Sequence, residues 1–147
     1  MRATTTPDRK QAIRTSELDA WNEGNVDVFD ELYTDEYVLH TPMGDRSMSE
    51  VKAMIESIRS GTSDFEFEIE DLFGEDDRVG LRYTMSGTNT GPSFLTDEPT
   101  DEYWEGSGIS MYRFEGGRVA EQWDNFDYLG VMQQLGLVPS EPARSTP

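Results

Sequence analysis

Residues 112–136, YRFEGGRVAEQWDNFDYLGVMQQLG, carry the densest local instruction in the chain. Gly116-Gly117 marks a tight hairpin, because both central residues of the favoured two-residue turn need positive φ. The turn joins a long strand, Tyr103 to Phe114, to a returning strand, Val119 to Asp124. Beyond it the apolar spacing lengthens: Leu129, Met132 and Leu135 suit a helix face, and Gly136 stops that helix. Asp127, just before Tyr128-Leu129-Gly130-Val131, suits its N-terminus as a cap and through the helix dipole.

Upstream the same period of two recurs. Val79, Leu81, Tyr83 and Met85 alternate with Arg82 on the opposite face, and Asn89 to Asp101, with Gly91, Pro92 and Pro99, is a long loop. Phe65, Phe67 and Ile69 alternate with Glu66, Glu68 and Glu70, giving a half-buried strand that turns at Gly74-Glu75-Asp76-Asp77. Before Gly61 the period becomes helical. Val51, Met54, Ile55 and Ile58 share a face, and Ser47 with Glu50 has capping-box spacing. Tyr37, Val38 and Leu39 form a short strand ending at His40-Thr41-Pro42. A short helix precedes it, with Val26, Phe29, Leu32 and Tyr33 on one face. The first helix runs from Pro7 to Asn22, capped by Thr6 and ended by Gly24, with Ile13, Leu18 and Trp21 as an irregular stripe. Three helices followed by antiparallel strands is an α+β plan, and a strongly bent sheet around the helices encloses a cavity. One domain over 1–137 and a flexible tail over 138–147 are expected.

The 147 residues suffice for one continuous core. Net charge is −18, spread along the chain, and Lys10 and Lys52 are the only lysines beside ten arginines. Such a surface repels phosphate backbones, which argues against nucleic-acid binding, and its lysine-poor acidity suits high salt, where the charge is screened. No apolar run reaches the ~20 residues of a membrane span. The opening MRATTTPDRK lacks the apolar stretch of a signal peptide, so a cytoplasmic location is expected. Without cysteine there is neither a disulfide nor a thiolate nucleophile.

The segments GTNTGPS, DEPT and YRFEGGRVAEQWDNFDYLGVMQQLG resemble the SnoaL-like polyketide cyclases and ester cyclases of the nuclear-transport-factor-2-like superfamily. AWNEGNVDVFDELYTDEYVLHTP is similar to that family's first two helices and first strand, so the resemblance covers roughly residues 10 to 137. It implies a cone-shaped barrel of a bent, mainly antiparallel sheet around N-terminal helices, with a pocket inside. It also implies a homodimer, and an intramolecular aldol closure that needs no metal or organic cofactor. In the cyclases an aspartate of the last strand moves a proton on the substrate, and Asp124 matches it. The cyclases place a histidine on the neighbouring strand where this chain has Ser110, and a larger polar residue where it has Gly108. The resemblance therefore carries the pocket further than the substrate.

Asp124 shares a strand face with Ala120 and Gln122. A carboxylate in an apolar cavity is desolvated, its pKa rises, and it can take and return a proton near neutrality. Ketosteroid isomerase works by the same logic, with an aspartate base whose shift is modest. The competing reading has Asp124 satisfying backbone donors where strand meets helix. Asp127 rivals it as acid/base, with helix capping as its other role. His40, the only histidine, either partners an acid across the cavity or is structural. One imidazole with scattered carboxylates gives no metal-ligand spacing. Arg82 either orients a substrate or lies on an outer face, and Arg113 is open in the same way. Tyr83, Trp104, Ser110, Tyr112 and Gln122 complete the candidate binding set. Trp104, Gly106, Gly108, Ser110 and Tyr112 share one face whose small residues leave room. Phe94 and Leu95, in the Pro-bounded loop, either close over the open end or make a dimer contact. The expected activity is cyclisation or isomerisation of a small apolar carbonyl compound. The alternatives are a non-catalytic binding or dimerising module and, last, epoxide hydrolysis.

Overall fold

The computed structural model describes residues 3–140, so residues 141–147 of the expected tail lie outside the described residues. The first helix, α1 (Thr6–Glu23), starts one residue earlier than expected: Thr5, not Thr6, caps it, its hydroxyl accepting from the Asp8 amide at 3.2 Å. Gly24 ends it at φ 77°. Its buried face is Ala12, Ile13, Ser16, Glu17, Ala20 and Trp21, while Leu18 packs at the edge of the core. The expected second helix is broken into a 3-10 turn (Val26–Val28) and a single turn, α2 (Phe29–Leu32).

Tyr33, expected on that helix, instead begins the strand β1 (Tyr33–Thr41). This strand is longer than the sequence suggests because it has partners on both sides. One is β2 (Gly44–Arg46), a short hairpin return that the apolar pattern does not mark; the other is the last strand. Helix α3 (Met48–Ser60) carries the expected capping box, Glu50 N–H to Ser47 Oγ at 3.3 Å and Ser47 N–H to Glu50 Oε1 at 3.0 Å.

Then come the long strands β3 (Thr62–Glu75), β4 (Arg78–Asn89), β5 (Tyr103–Glu115) and β6 (Arg118–Phe126), followed by α4 (Tyr128–Gln134). The β3–β4 turn narrows to Asp76-Asp77, with Asp76 at φ 53°, a conformation its short polar side chain tolerates. Gly116 and Gly117, at φ 60° and 82°, make the β5–β6 hairpin that the sequence predicts.

The sheet order is β2-β1-β6-β5-β4-β3, antiparallel throughout except where β1 runs parallel to β6. Helix α3 packs against both β1 and β3, which lie toward opposite ends of that order, so the sheet curls around the helices without closing. This is the expected α+β cone. Along β5 burial alternates strictly, Trp104, Gly106, Gly108, Ser110 and Tyr112 facing in. Ile13, Ile55, Val79, Leu81, Trp104 and Tyr112 are at most 1% exposed and form the centre of the core. Among the described residues no helix is long and apolar enough to cross a membrane.

Ile55→Ala, which removes most of a buried core side chain, is expected to cost about 2–5 kcal/mol. Ser47→Ala, which loses only the cap, is expected to cost about 1 kcal/mol. Denaturant unfolding of the two variants beside the parent checks both values.

Candidate active site

The inward faces of β4, β5 and β6 bring Tyr83, Ser110, Tyr112, Gln122 and Asp124 to one cavity. Helix α1 contributes Glu17 and Trp21, and β1 contributes Tyr33 and Tyr37, with Met54 and Ile55 of α3 among the apolar lining. The cavity volume is about 40 Å³, enough for about three waters or a molecule of a few heavy atoms.

Its polar groups form two clusters. The first is centred on Asp124 Oδ1, which accepts from the Tyr83 hydroxyl and from Ser110 Oγ, each at 2.7 Å. Among the described residues no hydrogen bond reaches Oδ2. Ser110 Oγ in turn accepts from Gln122 Nε2 at 3.0 Å, and Gln122 Oε1 accepts from the Tyr37 hydroxyl at 2.6 Å. Tyr83 reaches Asp124 across Gly108, its register partner on β5. A Cβ at Gly108 would lie 2.4 Å from the Tyr83 hydroxyl oxygen, so this close approach requires the glycine. Burial raises the Asp124 pKa above the ordinary aspartate value, and the Tyr83 and Ser110 donors partly offset the rise.

The second cluster surrounds Glu17, a residue the sequence reading leaves out. Its side chain is fully enclosed, the residue 5% exposed. Trp21 Nε1–H donates to Oε2 at 3.1 Å and the Tyr33 hydroxyl to Oε1 at 3.3 Å. Its pKa is pushed up to about 7, by desolvation first and by the Asp124 charge, against the lowering by the donors Tyr112, Tyr33 and Trp21. The signal in the sequence is the i, i+4 series Ile13, Glu17, Trp21: a carboxylate in the middle of a buried helix face. Burial also drives the hydroxyl pKa values of Tyr33, Tyr37, Tyr83 and Tyr112 upward, so all four remain proton donors.

The structure does not bring His40, Arg82 or Trp104 to this cavity. His40 lies between two acids outside it, Nδ1 at 2.8 Å from Asp45 and Nε2 at 2.6 Å from Glu121. Hydrogen bonds to Asp45 and Glu121 raise its pKa, and Arg113 donates to the same Glu121 at 3.1 Å. Arg82 is on the outer face, Nε to Asp71 Oδ2 at 2.7 Å, both side chains about half exposed. Its odd register relative to Leu81 and Tyr83 puts it there. Trp104 is wholly buried beside Phe65, at a ring separation of 6.4 Å, and does not line the cavity. Asp127 caps α4, Oδ1 accepting from the Gly130 amide at 2.9 Å. Leu95 is buried, while Phe94 packs at 6.0 Å from Tyr128 beside the end of α3. Among the described residues no three histidine, aspartate or glutamate side chains are grouped to hold a metal ion.

Glu17 ties stability to pH. An ordinary glutamate ionises near 4.5 and this one near 7, so between those values the folded protein binds the extra proton. Stability therefore falls as pH rises through that window, by about 3 kcal/mol in all. Glu17→Gln is expected to remove this part of the slope, measured as the difference between variant and parent unfolding free energies from pH 4 to 8.

No curated protein sequence matches the chain. Among solved structures, TsrD of Streptomyces laurentii is 29% identical, with a TM-score of 0.76 over 87% of this chain and 95% of its own. AclR of Streptomyces galilaeus, a candidate hydroxylase, is 24% identical, with a TM-score of 0.78 over 91% and 89%. IdmH of Streptomyces antibioticus, a candidate polyketide cyclase, is 22% identical, with a TM-score of 0.73 over 87% and 99%. The last two likenesses, like that to a protein of ketosteroid isomerase-like fold from Catenulispora acidiphila (15% identical, TM-score 0.69 over 95% and 100%), show the fold alone. Residues 11–135 match the SnoaL-like polyketide cyclase family, a span that runs from α1 through α4 and includes every residue lining the cavity. The chain belongs to the SnoaL-like polyketide cyclase family.

Proposed function

We propose that the protein is a cyclase or isomerase in which Asp124 is the acid/base on a small, largely apolar carbonyl compound. One observation carries the reading: a half-buried carboxylate in the cavity wall whose Oδ1 is fixed by two 2.7 Å hydroxyl donors, while among the described residues no hydrogen bond reaches Oδ2. Tyr83 and Ser110 stabilise the anion and orient it. Burial raises its basicity, so it can remove a proton from the carbon next to a carbonyl and give it back. Removal leaves an enolate. Return of the proton at a different carbon isomerises the substrate. Attack of the enolate carbon on a second carbonyl of the same molecule closes a ring, and Asp124 then protonates the new alkoxide. Every step moves a proton or forms a carbon–carbon bond, so no electron carrier enters the balance.

A cavity of about 40 Å³ suits small ketones, which suffice to test the enolisation step common to both reactions. Proton exchange at the α-carbons of acetone and cyclopentanone in heavy water, followed by NMR, tests the reading. The parent is expected to exceed the buffer rate, and Asp124→Asn to lose about 10²–10⁴-fold of that acceleration while keeping its fold. An Asp124→Asn protein as fast as the parent, or a parent no faster than buffer, overturns it.

We further propose that the protein works as a homodimer through the outer face of the sheet. There Phe73, Ile109 and Met111 are 63%, 58% and 38% exposed, and Gly80 lies beneath the Phe73 ring. Large apolar side chains grouped on one sheet face are typical of a contact surface. Ile109→Lys is expected to convert dimer to monomer in sedimentation velocity without a change in circular dichroism.

A further inference from the structure

We infer that Glu17 is the acid that works opposite Asp124, its carboxyl hydrogen held on the carbonyl oxygen while Asp124 takes the α-proton. The inference rests on the enolisation reading and adds the residue that gives the oxygen its proton.

Two carboxyl groups line one cavity, and none of the side chains lining it is a lysine, arginine or histidine. Two uncompensated negative charges in so small an interior are strongly disfavoured, so the pair retains one proton between them. Hydrogen-bond geometry decides where it resides. Asp124 has two hydroxyl donors at 2.7 Å on one oxygen, whereas Glu17 has donors at 3.1 and 3.3 Å, one on each oxygen. The shorter bonds stabilise the aspartate anion more, and the deeper burial of Glu17 disfavours its charge. Asp124 is then the carboxylate and Glu17 the carboxylic acid, in agreement with a Glu17 pKa of about 7.

The titratable groups acting on Glu17 come from every wall: Tyr33 and Tyr37 of β1, Tyr83 of β4, Tyr112 of β5 and Asp124 of β6. From α3, Arg59 approaches α1 but donates to the main-chain oxygens of Trp21 and Asn22, at 2.8 and 3.2 Å.

The step balances within the cavity. The C–H bond breaks toward Asp124 and its electron pair becomes the new carbon–carbon π bond. The former carbonyl π pair takes the Glu17 hydrogen, leaving enol, Asp124 acid and Glu17 carboxylate. The enclosed charge is −1 before and after, so no second anion ever forms there. Reversal returns both protons.

The test is the pH profile of acetone α-proton exchange in the parent, Glu17→Gln and Glu17→Leu. The parent rate is expected to fall above about pH 7 as Glu17 ionises. Glu17→Gln keeps a hydrogen-bond donor that cannot ionise. Because it has no proton to give up, it is expected to lose about 10²-fold at the parent's optimum, and to lose the alkaline fall. Glu17→Leu, with no donor, is expected to lose about 10²–10³-fold at every pH. A Glu17→Gln protein that keeps the parent's alkaline fall, or a Glu17→Leu protein as fast as the parent, overturns the role of Glu17. Neither result touches Asp124→Asn, whose own rate tests the base. A second readout needs no turnover: the carboxyl carbon shift of Glu17 in the parent and in Asp124→Asn. Titration near pH 7, moving down when the Asp124 charge is removed, is expected. A Glu17 already ionised at pH 5 overturns the inference whatever the exchange rates.

Discussion

A cavity lined by two carboxyl groups and, among the described residues, by no basic side chain is the constraint around which the site is arranged. Outside, most of the thirty acidic residues are tolerable because water and counter-ions screen them, and the cations present are taken locally. Lys52 bridges Asp27 and Asp30, Arg82 holds Asp71, and Arg113 holds Glu121. Inside, no such partner reaches Glu17 or Asp124. Their compensation is hydroxyl and amide donors: tyrosines from three strands, Ser110 and Gln122 from two, and a tryptophan one helical turn away. Neutral donors stabilise a carboxylate only partially, which is why both groups keep raised pKa values. That partial compensation leaves both carboxylates more basic than they would be in water.

The strands are legible in the sequence wherever one face is buried and the other wet. The β5 alternation from Tyr103 to Glu115 and the Gly116-Gly117 turn follow directly from residue order, and they place Ser110, Tyr112, Gln122 and Asp124 on the inner side. Helix α3 is equally plain, because its cap and its apolar face agree. Less legible are elements whose limits depend on partners distant in sequence. The apolar run Tyr37-Val38-Leu39 marks only the middle of β1. The strand reaches back to Tyr33 because that residue pairs with Val119 of β6, and forward to Thr41 because β2 folds onto it.

Within the site, sequence reading finds the face that Asp124 shares but not the residue across from it. Glu17 stands in a helix whose polar side chains outnumber the apolar ones, so its buried face has no strong stripe and one more acid attracts no attention. Arg82 and His40 show the converse: rare residue types draw functional readings, yet both sit with acids on the outside. The small residues of β5 read as room for a ligand. The neighbours fill much of it: a Cβ at Gly106 would meet the Phe126 ring at 2.5 Å, and the Tyr83 hydroxyl covers Gly108. Small residues on a strand show that something comes close, and only the fold says whether that is substrate or the protein's own aromatic rings.

The parallel pairing of β1 with β6 sets the order in which the chain can assemble. The four strands from β3 to β6 are joined by successive hairpins and loops and can zip together over short sequence separations. β1 waits for the last of them, since Val38 pairs with Glu121 and His40 with Trp123, more than eighty residues on. Such a contact closes a large loop and forms slowly. On the ribosome, β1 emerges with only the short β2 to pair against until the end of the sheet has followed. Tyr33 and Tyr37 of β1 are among the walls around Glu17, so the environment that holds its proton is complete only once the two ends of the chain have met.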